Sequence, residues 1–274
     1  MLPAPQPVQI GYSNAAGESL SNMIVYKRTG VIIGESYFDP GPQELGGVDL
    51  LRVRSVLTPK SKMPWKESHT LVLDLTETED KLFDQMHKNT QYKVRRAMNK
   101  DNVFSKIYDP PSAQINTQFC EYYDRFAESK SLPTIFRARL EALARQRMLV
   151  LTSLWNKSDS ALVWHAYVCS DSRSMLLYSA SMFRKSDDTS FRSLVGRGNR
   201  YLHWRDIVHF RSQGHGLYDF GGMDIDGKSS ETMRISEFKR GFGGLILPTY
   251  SYTVARSTKG LLVTFMLKGW GIEF

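Results

Sequence analysis

Lys239 stands inside "FKRGFGG", residues 238–244, sixteen residues after the end of "YDFGG", residues 218–222. Two glycine pairs, each preceded by aromatic residues, therefore flank one lysine. A turn needs only a glycine. Holding an anionic substrate against bare backbone needs glycines and a cation together. "RSLVGRGNR" (192–200) offers a second such combination. Read as a loop opening a helix, it would present free N–H groups and the positive end of the helix dipole, and Gly196 and Gly198 would permit close approach of a pyrophosphate. Arg192, Arg197 and Arg200 add charge, and Asn199 adds an amide. The bland reading is a glycine-rich loop with solvated arginines. Lys88, Lys93, Arg95, Arg96 and Lys100, with Tyr92 among them, form one cationic helix face. That face suits phosphates or is simply solvated.

The elements that must position these residues follow from periodicity. "MIVYKR" (23–28) and "VIIG" (31–34) around "TG" read as a hairpin, and 50–57 and 70–75 as strands. "TETE" (76–79) forms a capping box, with Thr76 and Glu79 opening one long helix that ends near residue 100. Residues 113–129 and 135–147 read as helices. Strands at 149–155, 161–169 and 174–181 follow in quick order. A helix at about 194–212, a strand at 216–220 ending in a tight glycine turn, a helix at 231–240, and strands at 245–256 and 260–267 complete the chain. This mixed order implies an α/β (α+β) fold.

The 274 residues are 41% hydrophobic and 23% charged, enough for a sizeable core. A net charge of +8 favours polyanionic partners. Cys120 and Cys169 match no metal spacing and read as free thiols, and Cys169, at the end of a hydrophobic run, is expected to be buried. The start lacks the features of a secretory signal, and no window is apolar enough to span a bilayer. The expected location is cytoplasmic or peripheral at the inner membrane, without stable insertion.

Three segments, in order, carry a resemblance. "LDLTETEDKLFDQMHKNTQYKVRRAMNKD" (73–101), "NRYLHWRDIVHFRSQGHGLYDFGGMD" (199–224) and "RISEFKRGFGG" (234–244) resemble the Fem (FemABX-like) branch of the GNAT acyltransferase superfamily. The resemblance implies a mixed, mostly antiparallel central sheet flanked by helices, with the acyl donor at a splay between two central strands. It implies transfer of an acyl or aminoacyl group onto an amine. Classical members use aminoacyl-tRNA and peptidoglycan precursors, and relatives acylate amino sugars from tRNA or acyl-CoA. The chain is too short for two complete halves, so residues 1–75 are expected to form a reduced, loosely started first half and 76–274 the transferase domain. Gln91 replaces a frequent arginine, and Ser193 stands where CoA-binding members carry a cation.

With that chemistry in view, Lys239 would face an anionic substrate or a developing oxyanion. Asp219 caps the glycine turn or takes the amine's proton. His165, His203, Asp224 and Glu237 are the other possible bases. His203, beside Trp204, is either packing or catalytic, and His165 points into the core or toward a cleft. Arg192, Gly196, Arg197, Gly198 and Asn199 form the expected donor site. Lys88, Tyr92, Arg96, Trp204 and Tyr218 are the expected substrate contacts. The leading expectation is an acyl-CoA-like donor and an amine on an amino sugar or envelope polysaccharide precursor. An aminoacyl-tRNA-dependent transferase and a non-catalytic basic binding module are the alternatives. No metal is expected.

Overall fold

The computed structural model describes residues 22–38, 47–59, 64–182, 188–227 and 229–269. The expected loose start and most of the expected 39–47 loop lie outside the described residues. Among the described residues ten strands form one sheet in the order β1-β2-β3-β10-β4-β9-β8-β7-β6-β5. They are β1 (Met23–Arg28), β2 (Val31–Tyr37), β3 (Leu50–Val56), β4 (Lys66–Asp74), β5 (Val103–Tyr108), β6 (Leu149–Asn156), β7 (Ala161–Cys169), β8 (Arg173–Ser181), β9 (Leu217–Met223) and β10 (Leu245–Ala255). Only the β2/β3 and β8/β9 neighbours run parallel. The helices are α1 (Glu79–Asp84), α2 (Lys88–Lys100), α3 (Ala113–Glu128), α4 (Arg137–Arg145), α5 (Thr189–Ser212), α6 (Ser230–Arg240) and α7 (Thr258–Gly269). The mixed, mostly antiparallel sheet flanked by helices is the expected architecture.

β7 shows why the sheet is covered on both faces. Nearly every residue of "ALVWHAYVC" is buried, as a continuous apolar run requires. Trp164, Ala166 and Val168 join Phe119, Tyr122, Leu140 and Leu143 under α3 and α4. Tyr167 and Cys169, on the alternate face, join Leu82, Ile207 and Phe210 under α1 and α5. Both cysteines are free and buried.

Several elements depart from the sequence reading. The helix expected from residue 76 is two helices. Its cap is Thr78, whose side chain accepts from Lys81 N–H, while Thr76 donates to Asp74. The break falls where Met86 enters the core and His87 N–H donates to Gly241 O at 3.0 Å. Residues 192–200 are not a loop but the interior of α5, which starts at Thr189. β5 went unread because its residues are only half-buried. Gly221 and Gly222 lie within β9 rather than in a terminal turn. Residues 260–267 are helical, not a strand: two runs of three apolar residues, Leu261–Val263 and Phe265–Leu267, lack the alternation that would separate the two.

Candidate active site

β8 and β9 pair through only three positions, Arg173↔Leu217, Ser174↔Tyr218 and Met175↔Asp219. Beyond them the strands part. Gly221 has φ 69°, and a Cβ there would lie 2.9 Å from Leu176 O, so where the register is lost β9 passes β8 with a backbone conformation and a clearance that require glycine. Over the splay lies a cleft of about 990 Å³. Its walls are the end of α3 with the loop after it, β8, the first half of α5, and α6. Gly196, Asn199, Arg200 and His203 face it from α5, and Arg234, Phe238 and Lys239 from α6.

Lys239 is buried, and its Nζ donates to Gly222 O at 2.6 Å and to Gly221 O at 3.3 Å. Burial pulls its pKa from 10.5 down to about 8, with Asp219 working the other way. An ammonium has three protons, so the two carbonyls leave one for the cleft. The "FGG" that follows is architectural: Gly244 has φ 87°, and a Cβ there would meet Val72 O at 2.3 Å.

Behind the cleft wall runs a buried hydrogen-bond chain. Tyr167 OH donates to Asp206 Oδ2 at 2.6 Å. Its oxygen is then free to accept from Tyr218 OH, 2.7 Å away. Tyr218 in turn accepts from His203 Nδ1 at 2.7 Å. That order of protons fixes His203 as the Nδ1–H tautomer and leaves the lone pair on Nε2. Burial first, then His165, Lys239 and Arg200, hold the His203 pKa well below 6.5, so the ring is neutral at pH 7. Burial and the Asp206 charge push both tyrosines well above 10, so they keep their protons. His165 stacks on His203 at 4.2 Å, with Nδ1 on Asp206 Oδ2 and Nε2 on Asn199 Oδ1, both at 2.8 Å. Asp206 Oδ1 is buried without a hydrogen-bond partner among the described residues. His165, His203 and Asp206 have ligand atoms within 4.8 Å of one another, near enough to hold a metal. Hydrogen bonds already occupy both nitrogens of His165 and Nδ1 of His203.

No protein-family model matches the sequence, and no curated protein matches it. Among solved structures, FemX matches with a TM-score of 0.60 and 13% identity, over 93% of this chain and 89% of its own. The chain has the FemX fold. L-PGS from Bacillus licheniformis matches with a TM-score of 0.51 and 12% identity, over 95% of this chain and 88% of its own. A C-terminal domain from Agrobacterium fabrum, described as that of a lysylphosphatidylglycerol synthetase, matches with a TM-score of 0.50 and 10% identity, over 90% and 88%. The likeness is one of fold, and it is the Fem-like GNAT fold that the three sequence segments implied.

Within this FemX fold the expected site residues divide sharply. Lys239, His203, Asn199 and Gly196 line the cleft, and His165 reaches it through Asn199. Tyr218 lies behind the wall, bonded to His203. Asp219 is not placed to act as a base. It is fully buried in an ion pair with Arg173 and also accepts from Thr70 Oγ1 and, at 2.7 Å, from Gly221 N–H. Gly198 is no phosphate cradle: mid-helix, it lets α5 approach β6, where a Cβ would meet Leu154 Cδ2 at 2.5 Å. The N-terminus of α5 is occupied by its own cap, Asp188, which accepts from Ser190 N–H. Arg197 pairs with Asp101 at 2.6 Å, and Arg192 is half-buried near the start of α5. Trp204 packs edge-on against Phe83. Lys88, Tyr92 and Arg96 lie on the exposed face of α2, where Arg96 donates to Tyr92 OH. Asp224 accepts from Thr232 and from the Asp226 and Gly227 N–H groups, and Glu237 is exposed.

Sequence reading missed Asp206 and Tyr167. A signal existed: Asn199, His203 and Asp206 recur at helical spacing, and His165 and Tyr167 share one face of a strand. It also missed a second pocket of about 490 Å³, lined by Arg28, Arg52, Arg54 and Arg139 with Tyr26 and Phe136. Three of these lining residues hold the buried carboxylate of Glu35, which accepts from Arg54 at 3.0 Å, Arg139 at 2.9 and 3.0 Å, and Tyr26 at 2.9 Å. Burial alone would raise the Glu35 pKa, but Arg139 and Arg54 outweigh it and hold it at about 2. Tyr178 borders both this pocket and the cleft.

Proposed function

We propose that this chain is an aminoacyltransferase that moves an aminoacyl group from aminoacyl-tRNA onto the amine of an anionic acceptor. The observation that carries the reading is the convergence of a partly desolvated ammonium, Lys239, and a neutral, tautomer-fixed imidazole, His203, on one cleft over the strand splay. The likeness to the Agrobacterium domain, described as that of a lysylphosphatidylglycerol synthetase, supports aminoacyl rather than simple acyl transfer.

The acceptor amine attacks the ester carbonyl. A C–N bond forms, the ester C–O bond breaks, and the ribose oxygen leaves as a hydroxyl on taking, from His203 Nε2, the proton that the amine gave up. Lys239 donates its third proton to the carbonyl oxygen as negative charge develops there; losing one such donor costs about 10²–10³ in rate. His203 Nε2 takes the amine's proton. A buried imidazolium would be costly, and the chain behind it offers relief. Nδ1 passes its proton to Tyr218, Tyr218 passes its own to Tyr167, and Tyr167 completes transfer to Asp206. Charge then never accumulates on the ring.

Two features favour tRNA over acyl-CoA. The glycines read as a pyrophosphate cradle are inside α5, and its N-terminus carries Asp188. α2 packs on α5 and leaves its cationic face exposed, and at the edge between the two helices Arg197 and Arg200 lie close enough to Lys93 to depress its pKa, after burial. This makes a ridge for backbone phosphates beside the cleft. The arginine pocket, joined to the cleft at Tyr178, takes the acceptor's phosphate or carboxylate. An amino sugar phosphate of an envelope precursor has both required groups.

The test is a titration with aminoacyl-tRNA and with acetyl-CoA at low and moderate salt, followed by single-turnover transfer to amine acceptors. Saturable tRNA binding with a steep salt slope, and transfer lost in Lys239→Met, is expected. Binding of acetyl-CoA alone would replace the donor assignment; transfer undiminished in Lys239→Met would remove the lysine from the chemistry.

A further inference from the structure

α7 is short and apolar, and it carries its large side chains outward. Leu261 is 62% exposed, Leu262 61%, Phe265 78% and Met266 50%. Spacings of one and four place all four on one side of the helix. Such a contiguous patch is unusual on a protein surface that meets only water. The helix is held in this orientation from its start. Ser257 Oγ donates to Asp49 Oδ1 at 2.6 Å, Gly260 N–H donates to Ser257 Oγ at 3.1 Å, and Lys259 Nζ donates to Gly30 O in the β1–β2 turn. No helix among the described residues is long and apolar enough to cross a membrane, and the twelve residues of α7 span only about 18 Å.

The surroundings of the patch are cationic. Arg256 and Lys259 stand at the start of α7, and Lys27 and Arg28 lead into the adjoining β1–β2 turn, all four exposed. Val263, on the other side of the helix, lines the arginine pocket together with Arg28, Arg52, Arg54 and Arg139. Apolar residues that enter the acyl boundary, a basic rim for headgroup phosphates, and an anion pocket beside them are the parts of an interfacial docking surface.

We infer that α7 seats the protein on an anionic lipid bilayer, with Leu261, Leu262, Phe265 and Met266 in the interface. It follows, resting on the transferase reading, that the acceptor is lipid-linked and reaches the arginine pocket from the membrane. The docking itself does not depend on that reading and is measured without turnover.

The experiment is co-sedimentation of the full chain with vesicles of phosphatidylcholine alone and of phosphatidylcholine mixed with phosphatidylglycerol. It is repeated for Phe265→Glu and for Leu262→Glu, with circular dichroism and melting confirming the fold. Binding to the mixed vesicles that weakens with salt, and weakens at least about tenfold in either variant, is expected. Equal binding by the variants would place the contact elsewhere on the basic surface and overturn the inference. So would no vesicle binding at all. A dimer in solution that Phe265→Glu dissociates, with no vesicle binding, would assign the face to a second copy instead. Transfer activity to a water-soluble acceptor with no vesicle binding would overturn the docking and leave the transferase standing; vesicle binding without transfer would do the reverse.

Discussion

Replacing Lys239 by methionine should make the protein more stable and inactive at once. The lysine's pKa falls from 10.5 to about 8 on folding, chiefly through burial. That gap corresponds to about 3 kcal/mol by which the native state disfavours the charged form. Methionine keeps the volume of the stem and removes the charge. It also removes the hydrogen bonds to Gly221 O and Gly222 O. Gly222 is exposed, so its carbonyl can take water, and the loss there and at Gly221 is about 1–2 kcal/mol. The net expectation at pH 7 is a gain of about 1–2 kcal/mol, read by urea unfolding. The pH dependence gives the sharper test. Below about pH 8 the lysine is charged in both states and the penalty is complete. Between about 8 and 10.5 the unfolded chain holds the proton and the native protein does not, so wild-type stability rises with pH. The variant's advantage must therefore shrink across that window. A variant less stable than wild type at pH 7, or an advantage unchanged up to pH 10.5, would refute the claim that desolvation dominates at this lysine.

His203→Gln should lower single-turnover transfer by about 10²–10⁴, and Tyr218→Phe, which keeps the ring but breaks the chain to Asp206, should shift the pH–rate profile while leaving acceptor KM unchanged. Gly198→Ala should reduce stability by about 1 kcal/mol through its overlap with Leu154 and leave donor affinity intact, as measured by melting and by titration. Glu35→Gln should destabilise the protein by about 3 kcal/mol at pH 7. A folded-state pKa of about 2 against 4.5 means that this stabilisation is complete above about 4.5 and is lost as pH falls toward 2, so the two unfolding curves should converge in acid.

The strands with continuous or alternating apolar residues were legible, as were the α3 and α4 helices, whose faces repeat at 3.6 residues. What was not legible depended on distant partners. Thr76 and Thr78 are both able to cap; the difference is that Asp74 engages Thr76. "LLVTFML" suits strand or helix equally, and only docking of α7 beside β10 settles it. Residue type and motif mark Lys239, His203 and Asn199 in the sequence, and all three line the candidate cleft. Asp219 looked the same as a base in the sequence. Its satisfaction by Arg173, 46 residues away, is a tertiary fact. Glu35 and its arginines come from β2, β3 and α4, and no local pattern joins them.

β10 has a consequence for how the chain is made. It lies between β3 and β4 and pairs with both, so without it the sheet is two pieces, β1-β2-β3 and β4-β9-β8-β7-β6-β5. A ribosome producing about 5–20 residues per second needs about 10–40 s to add the roughly 190 residues between β3 and β10. Throughout that time the facing edges of β3 and β4 have no partner strand. A nascent chain of this protein therefore waits on β10, and conditions that slow translation between β3 and β10 should lengthen its dependence on chaperones.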